Sequence, residues 1–408
     1  MRFIYFYFIF ALFFLSDVYT YRWFLNTIAN HSTIYRWAYW FVSILVYMTL
    51  FYVIYLNSHE AIVNATLGYN LMVGIVFAFL IAKVIMGAIF FVGDIGRIFA
   101  YIFEKVLSVE METKGWRQVV SYISLSVGIT LITSLVYGVV WGKYNFKFHE
   151  QTIASSKIPE NFDGYRIVQL SDAHLGTFDR MKPVEKVVQR INDLNPDLIV
   201  FTGDLVNFRA SEAKKFIRIF SQLDAKDGKY TIMGNHDYEM ARHRQSAFYE
   251  EDKEALLEVL EKKMGFRWLK NESILLKKRE QTIGLGGVEN WGRPPFPQLG
   301  DVDKAFEHMD QSTFKILLSH DPSYWEEVVA NNVPKVDLTL SGHTHGMQFG
   351  IEIGSFKWSP VKYIYPKWAG MYEKNGVQLY VNRGFGSIGY PGRLGIWPEV
   401  TVFTLKHK

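Results

Sequence analysis

The sequence predicts a two-part α/β chain: about four transmembrane helices, then a domain of alternating strands and helices. Three observations predict it. Charged residues are scarce before about Trp141, where Phe, Tyr, Ile and Val dominate, whereas afterwards charged and apolar residues mix as in soluble domains. From Tyr165 onward, short apolar runs of strand length alternate with helical stretches. Five of those runs end in Asp, Asn or His, at the strand ends where open α/β sheets place ligands. The expected boundaries are 1–145 for the helices, 146–160 for a linker and first edge, and 161–408 for the domain.

Composition narrows the function. The net charge of +4 over 408 residues gives no argument for a nucleic-acid partner, which usually needs a clustered basic surface. Cysteine is absent, which excludes disulfides and thiolate metal sites and leaves the redox compartment open.

Residues 3–15 form the first apolar run, extensible to Tyr21 if Asp17 lies near the interface. A signal peptide is the competing reading, but Arg2 alone makes a weak basic start and no small-residue cleavage pattern follows, so an uncleaved span is preferred. Residues 38–56 are uncharged and rich in aromatic and branched side chains, a second span. Residues 71–92 are the third and contain Lys83, which marks a polar path or, more commonly, snorkels or faces a neighbouring helix. Residues 119–141 are the fourth, with Trp116 and Trp141 as interfacial anchors.

The loop between spans three and four carries Arg97, Lys105, Lys114 and Arg117, and the first loop carries Arg22 and Arg36. The second loop, 57–70, has neither residue type. Basic loops face the cytoplasm, so the N-terminus and the C-terminal domain are both expected outside it, in a bacterial inner (cell) membrane. The bilayer itself is thus the first expected partner.

In the domain, Tyr165 to Leu170 reads as a buried strand ending in Ser171-Asp172-Ala173-His174. Asp197 to Phe201 ends in Thr202-Gly203-Asp204, and Lys229 to Met233 ends in Gly234-Asn235-His236-Asp237. Lys315 to Leu318 leads into Ser319-His320, and Asp337 to Leu340 into Gly342-His343-Thr344-His345-Gly346. Helices fit at 182–194, 211–223 and 250–264.

Each motif alone is weak, because Asp-x-His or Gly-Asn-His-Asp is more often a turn or helix cap. Together they meet a chemical need. Two divalent ions about 4 Å apart repel strongly, so a site for both requires an anionic bridge with oxygen and nitrogen ligands on either side. Asp204 is the natural bridge, Asn235 offers a neutral oxygen, and His174, His320, His343 and His345 offer imidazole. Such a set without sulfur suits Mn, Fe or Zn. Gly203 would let the backbone turn closely beneath it.

Other features have plainer readings. Gly284-Leu285-Gly286-Gly287 lacks the helix and Lys-Ser/Thr of a phosphate loop and reads as a strand or bulge. His149, His243, His308 and His407 read as surface residues, and 245–263 as a solvated helical face. Arg383 and Arg393 either hold a substrate phosphate bidentately or serve surface ion pairs. Phe356, Trp358, Tyr363, Tyr365, Trp368 and Tyr372 crowd the stretch after the Gly-His-Thr-His-Gly loop. They are either core of a second sheet or a lip for a lipid-bearing substrate.

At Asp172-Ala173-His174, Gly203-Asp204, Gly234-Asn235-His236-Asp237, His320 and Gly342-His343-Thr344-His345 the chain resembles the calcineurin-like metallophosphoesterase superfamily over roughly 162–405. The closing Asn382-Arg383-Gly384-Phe385-Gly386, with Pro391-Gly392-Arg393-Leu394 and Pro398-Glu399-Val400, is similar to the membrane-associated branch of YkuE-type phosphoesterases and transmembrane proteins with a metallophosphoesterase domain. The resemblance implies a four-layer α/β/β/α sandwich and two divalent ions. It assigns Asp172, His174, Asp204 and His345 to one ion, and the shared Asp204 with Asn235, His320 and His343 to the other. A metal-bridging hydroxide would attack phosphorus while His236, its ring fixed by Asp237, serves the leaving group. The implied substrate is a phosphodiester or pyrophosphate, lipid-linked or of the cell envelope. UDP-2,3-diacylglucosamine, cleaved by some relatives in lipid A synthesis, is a candidate by resemblance alone. A non-catalytic membrane receptor or scaffold that keeps the fold is the alternative, disfavoured because no ligand position is lost.

Overall fold

A computed structural model of the chain describes residues 2–27, 33–58, 65–108, 114–239, 247–331 and 336–408. It divides into two compact units, one of residues 1–62 and 68–140, the other of 63–67 and 141–408.

The described residues of the first unit form four helices, α1 (Arg2–Thr27), α2 (Thr33–Ser58), α3 (Leu67–Leu107) and α4 (Lys114–Val140). Among the described residues, three candidate spans are long and apolar enough to cross a membrane: Thr33–Leu56, Leu67–Leu107 and Gly115–Tyr144. α3 has 41 residues. At 1.5 Å per residue it is about 60 Å long, twice a hydrocarbon core, so its basic end must project beyond the bilayer. Lys83 neither snorkels nor stands alone. Its Nζ lies 2.7 Å from Asp17 Oδ1, and both side chains are buried. Asp17 is therefore not the interfacial residue the sequence suggested, because the low-dielectric bundle makes an unpaired Lys83 far costlier than a paired one.

The second unit is built on two six-stranded sheets. One has the order β1-β14-β2-β3-β4-β5, comprising Lys147–Ser155, Glu399–His407, Arg166–Leu170, Leu198–Phe201, Lys229–Thr231 and Arg267–Trp268. The other has the order β12-β13-β9-β8-β7-β6, comprising Gly370–Lys374, Val377–Val381, Leu338–Ser341, Lys315–Leu318, Gln281–Gly287 and Glu272–Lys278. A separate ribbon pairs β10 (Ile351–Ile353) with β11 (Phe356–Trp358). Strands β2, β3 and β4 run parallel, as do β7, β8 and β9.

The uninterrupted apolar runs follow from burial on both faces. In β3, Leu198 and Val200 enter the core that also holds Ile316 and Leu340 from the other sheet. Ile199 and Phe201 enter a second core with Val184, Val188 and Ile191 of helix α5 (Lys182–Asp193). A third core, around Leu317, Trp325 and Leu379, covers the second sheet.

Two expectations need correction. The stretch 146–160, expected as linker and first edge, is edge and not linker: Lys147–Ser155 is β1, paired along its length with the C-terminal strand β14. Its mixed polarity is that of an edge strand, half-exposed on one side. Residues 211–223 form a 3₁₀ turn (Ala210–Lys215) and one short helix (Ile217–Phe220). Buried Glu212 pins that entry by accepting from the Asn207, Phe208 and Arg209 backbone N–H groups. Gly284 to Gly287 lies inside β7, where a Cβ on Gly286 would stand 2.4 Å from the Phe306 ring, so the glycines serve close packing. His243 lies outside the described residues.

Candidate metal centre

Every motif residue sits just past the C-terminal end of a parallel strand. Asp172 and His174 follow β2, Asp204 follows β3, and Asn235 and His236 follow β4. His320 follows β8, while His343 and His345 follow β9. Two sheets thus aim their loops at one place. Five of these residues, Asp172, His174, Asp204, His343 and His345, have positive φ between 41° and 71°. Asp and His tolerate that region better than most residues, yet five together mark loops bent against local preference to converge side chains. Gly203 has φ 93°, and a Cβ there would meet Gly234 N at 2.5 Å, so only glycine fits.

The donors fall into two groups. Asp172, His174 and His345 form one, and Asp204, His320 and His343 the other, each with its ligand atoms within 4.8 Å of one another. Nε2 of His174 lies 3.0 Å from Nε2 of His345, which in turn is 3.3 Å from Asp172 Oδ1. In the second group His320 Nε2 lies 3.2 Å from Asp204 Oδ2, 3.2 Å from Asn235 Oδ1 and 3.3 Å from His343 Nδ1. Asp204 Oδ2 is also 3.6 Å from His174 Nε2, which puts this carboxylate between the groups.

The electrostatics fit cations. Burial opposes ionisation of Asp204, but His320 and His236 beside it hold its carboxyl well below the usual range. Asp172 is likewise buried yet lowered, chiefly by His345. Burial pulls His174, His343 and His345 below the ordinary imidazole value, leaving neutral rings with lone pairs to give. His320 is the exception: burial lowers it, but Asp204 more than reverses this and pushes it up to about 10. Buried, ionised carboxylates beside three imidazoles held neutral, two of them nitrogen to nitrogen, suit divalent metal ions.

The surroundings orient the rings. His320 Nδ1–H donates to Thr202 O at 2.7 Å, leaving Nε2 for the site, an arrangement typical of ligating histidines. His343 Nε2 lies 2.8 Å from Tyr365 Oη and 3.5 Å from buried Asp321, leaving Nδ1 for the site. Sequence reasoning missed Asp321, although it directly follows His320, and gave Tyr365 only a place in the aromatic cluster.

His236 belongs to neither group and is only half-buried. Its Nδ1–H donates to the Asn207 carbonyl at 2.9 Å. That bond orients the ring, the role the sequence reading gave to Asp237. Asp237 is buried and instead accepts the backbone N–H groups of Asp204, Leu205 and Gly234 at 2.7, 2.9 and 3.0 Å. Burial and the charge of Asp204 push its carboxyl up to about 7. It holds the backbone that presents Asp204.

The arginines also differ from expectation. Arg383 is buried and donates to Glu399 and Glu352, each at 2.6 Å. Arg393 is fully buried behind His345 and donates to the carbonyls of Gly386 at 2.7 Å and Arg383 at 2.8 Å. Guanidiniums placed in this way brace the closing segment against the site. Trp368 is core, packed with Val361 and Ile396, whereas Phe356 and Tyr363 are exposed.

Two groups of sulfur-free donors, each able to hold a metal ion, suit metal-dependent phosphoester hydrolysis, and comparison with known proteins agrees. Residues 165–347 match the family described as "Calcineurin-like phosphoesterase", and residues 1–143 match "Probable Calcineurin-like phosphoesterase, transmembrane domain". The chain is 34% identical to the metallophosphoesterase YkuE of Bacillus subtilis, over 63% of this chain and 84% of that protein. It is 31% identical to a transmembrane protein with metallophosphoesterase domain from Danio rerio, over 69% of this chain but only 62% of that longer protein. A metallophosphoesterase of Aquifex aeolicus is 28% identical over 65% of this chain and 94% of its own length. The chain belongs to the calcineurin-like metallophosphoesterase family and is a membrane-associated phosphoester hydrolase.

Proposed function

We propose that this protein is a membrane-anchored, dinuclear-metal phosphohydrolase that cleaves a phosphodiester or pyrophosphate bond in a lipid-linked or envelope substrate. The observation that carries this reading is Asp204 standing between the two buried donor groups. Asp172, His174, Asp204 and His345 would hold one ion, and Asp204, Asn235, His320 and His343 the other. When bound, such a pair supplies Lewis acidity to the phosphoryl oxygens and acidifies the attacking water. His236, its ring oriented by Nδ1–H donation to Asn207 O, would deliver a proton to the leaving oxygen. Asp237 keeps Asp204 in place by binding the backbone on both sides of it. Manganese, iron and zinc all suit the donors.

The catalytic unit is read as extracytoplasmic. Ala65, at the end of the loop free of Lys and Arg, belongs to the catalytic unit and donates its N–H to Gly176 O at 2.8 Å. A loop between spans two and three shares a side with a domain that follows span four, and a loop without basic residues favours the outside.

The purified full chain, loaded with manganese, is expected to hydrolyse bis(p-nitrophenyl) phosphate and to lose that activity on chelation. Paired reporters fused after Lys408, one active only in the cytoplasm and one only outside it, test the side. A cytoplasmic signal would refute the orientation and make UDP-2,3-diacylglucosamine the leading substrate.

A further inference from the structure

The β10–β11 ribbon has its polarity reversed. Cross-strand partners share a face, so Ile351 with Trp358 and Ile353 with Phe356 form one side, and Glu352 with Lys357 the other. The polar side is turned inward: Glu352 accepts from Arg383 at 2.6 Å, and Lys357 donates to Ala369 O. The apolar side faces out, with Ile353 73% and Phe356 60% exposed. The turn that follows adds Tyr363, 73% exposed, and Ile364. A ribbon normally buries its apolar face, so this one is built to meet something other than water.

The occupant is indicated by charge and tether. Between 347 and 367 the sole acid, Glu352, is consumed by Arg383, while Lys362 is exposed and Lys367 half-exposed beside the apolar residues. Lysines flanking Ile, Phe, Trp and Tyr match the headgroup region of an anionic bilayer. The catalytic unit begins at Trp141, one residue after α4 ends, so its tether to the membrane has almost no slack. The same segment leads to the metal centre, starting two residues after His345 and ending beside Tyr365, whose Oη lies 2.8 Å from His343 Nε2.

We infer that the apolar face of the β10–β11 ribbon, with Tyr363 and Ile364, is a docking lip that rests in the interfacial layer of an anionic bilayer and admits lipid-borne phosphoesters to the metal centre. Its catalytic part rests on the hydrolase reading above; its docking part does not.

Because the chain has no cysteine, Ile353→Cys and Phe356→Cys each provide a single labelling site in the full-length protein, and Glu280→Cys, in the turn between β6 and β7, serves as control. An environment-sensitive fluorophore is read in nanodiscs of phosphatidylcholine and phosphatidylglycerol, with and without bromine on the acyl chains. Positions 353 and 356 are expected to emit at shorter wavelength and to lose most of their intensity with brominated lipid, while position 280 stays unchanged. Water-like, unquenched emission at 353 and 356 overturns the lip. So does a shift that follows protein concentration and not the quencher, which would assign the face to a second copy. In parallel, the double variant Ile353→Ser/Phe356→Ser is expected to cleave a bilayer-embedded phosphodiester about tenfold more slowly and the soluble diester at the wild-type rate. Equal rates on both substrates for variant and wild type also overturn it. If the wild type cleaves neither, the hydrolase reading fails, and the fluorescence result alone decides the docking.

Discussion

Gly234→Ala is the most direct test that the loops, and not merely the ligands, make the site. A Cβ at position 234 would lie 2.2 Å from Asp204 Oδ1 and 2.6 Å from His320 Cε1, where ordinary contact starts at 3.4 Å. The carboxylate or the backbone must therefore yield by about 1.2 Å, and a displacement of that size at a reacting centre costs about 10²-fold in rate. Both obstructing residues belong to the second donor group, and Asp204 also lies 3.6 Å from His174 of the first. The same Oδ1 accepts the His236 backbone N–H at 2.8 Å, so the proton donor is disturbed along with the ligand. Overpacking of this kind costs about 1–3 kcal/mol, too little to unfold the domain. The expected result is a folded chain with fewer than two ions after dialysis, measured by plasma mass spectrometry. Its turnover of bis(p-nitrophenyl) phosphate is reduced about 100-fold or more. Gly115→Ala, where nothing lies within 4 Å, is the control and should behave as wild type. Full metal content and unchanged turnover in Gly234→Ala would refute the claim that close backbone approach shapes the centre.

Two further predictions concern single side chains. His236→Ala should keep both ions and lose roughly 10²–10⁴-fold in turnover, because the residue lies outside both donor groups; losing the ions as well, or keeping full activity, would refute its role as proton donor. Arg383→Met leaves Glu399 buried without its cation and should cost about 3–5 kcal/mol in thermal or denaturant unfolding. That penalty should depend on pH. Burial raises the Glu399 carboxyl, but Arg383 outweighs it and holds the group at about 2, against 4.5 ordinarily. A depressed carboxylate stabilises fully above about 4.5 and loses that contribution as pH falls towards 2, here about 3 kcal/mol. The stability gap between wild type and Arg383→Met should shrink across that window, and a gap that stays constant would show that the ion pair is not its source.

The two-part plan, the apolar helices, the five strands and the Asp and His residues that gather at the strand ends were all legible in the sequence. The reason is local. Burial on both faces forces continuous apolar runs, and a strand that ends must deliver its next residues to the sheet edge, so type and position are written within a few residues. The features that the sequence left open depend on partners distant in the chain. β1 looked like a linker because its pairing partner, β14, begins at Glu399. Asp17 looked interfacial because Lys83 reaches it from another helix. Asp237 was expected to fix the His236 ring, and Arg383 and Arg393 to hold a phosphate or serve surface ion pairs; burial and partners distant in the chain give all three bracing contacts instead. The reversed face of the β10–β11 ribbon was equally hidden, since alternation shows that two faces differ but not which one meets the protein. Only packing chooses that direction, and it is set by contacts such as Glu352 with Arg383, which no window of neighbouring residues contains.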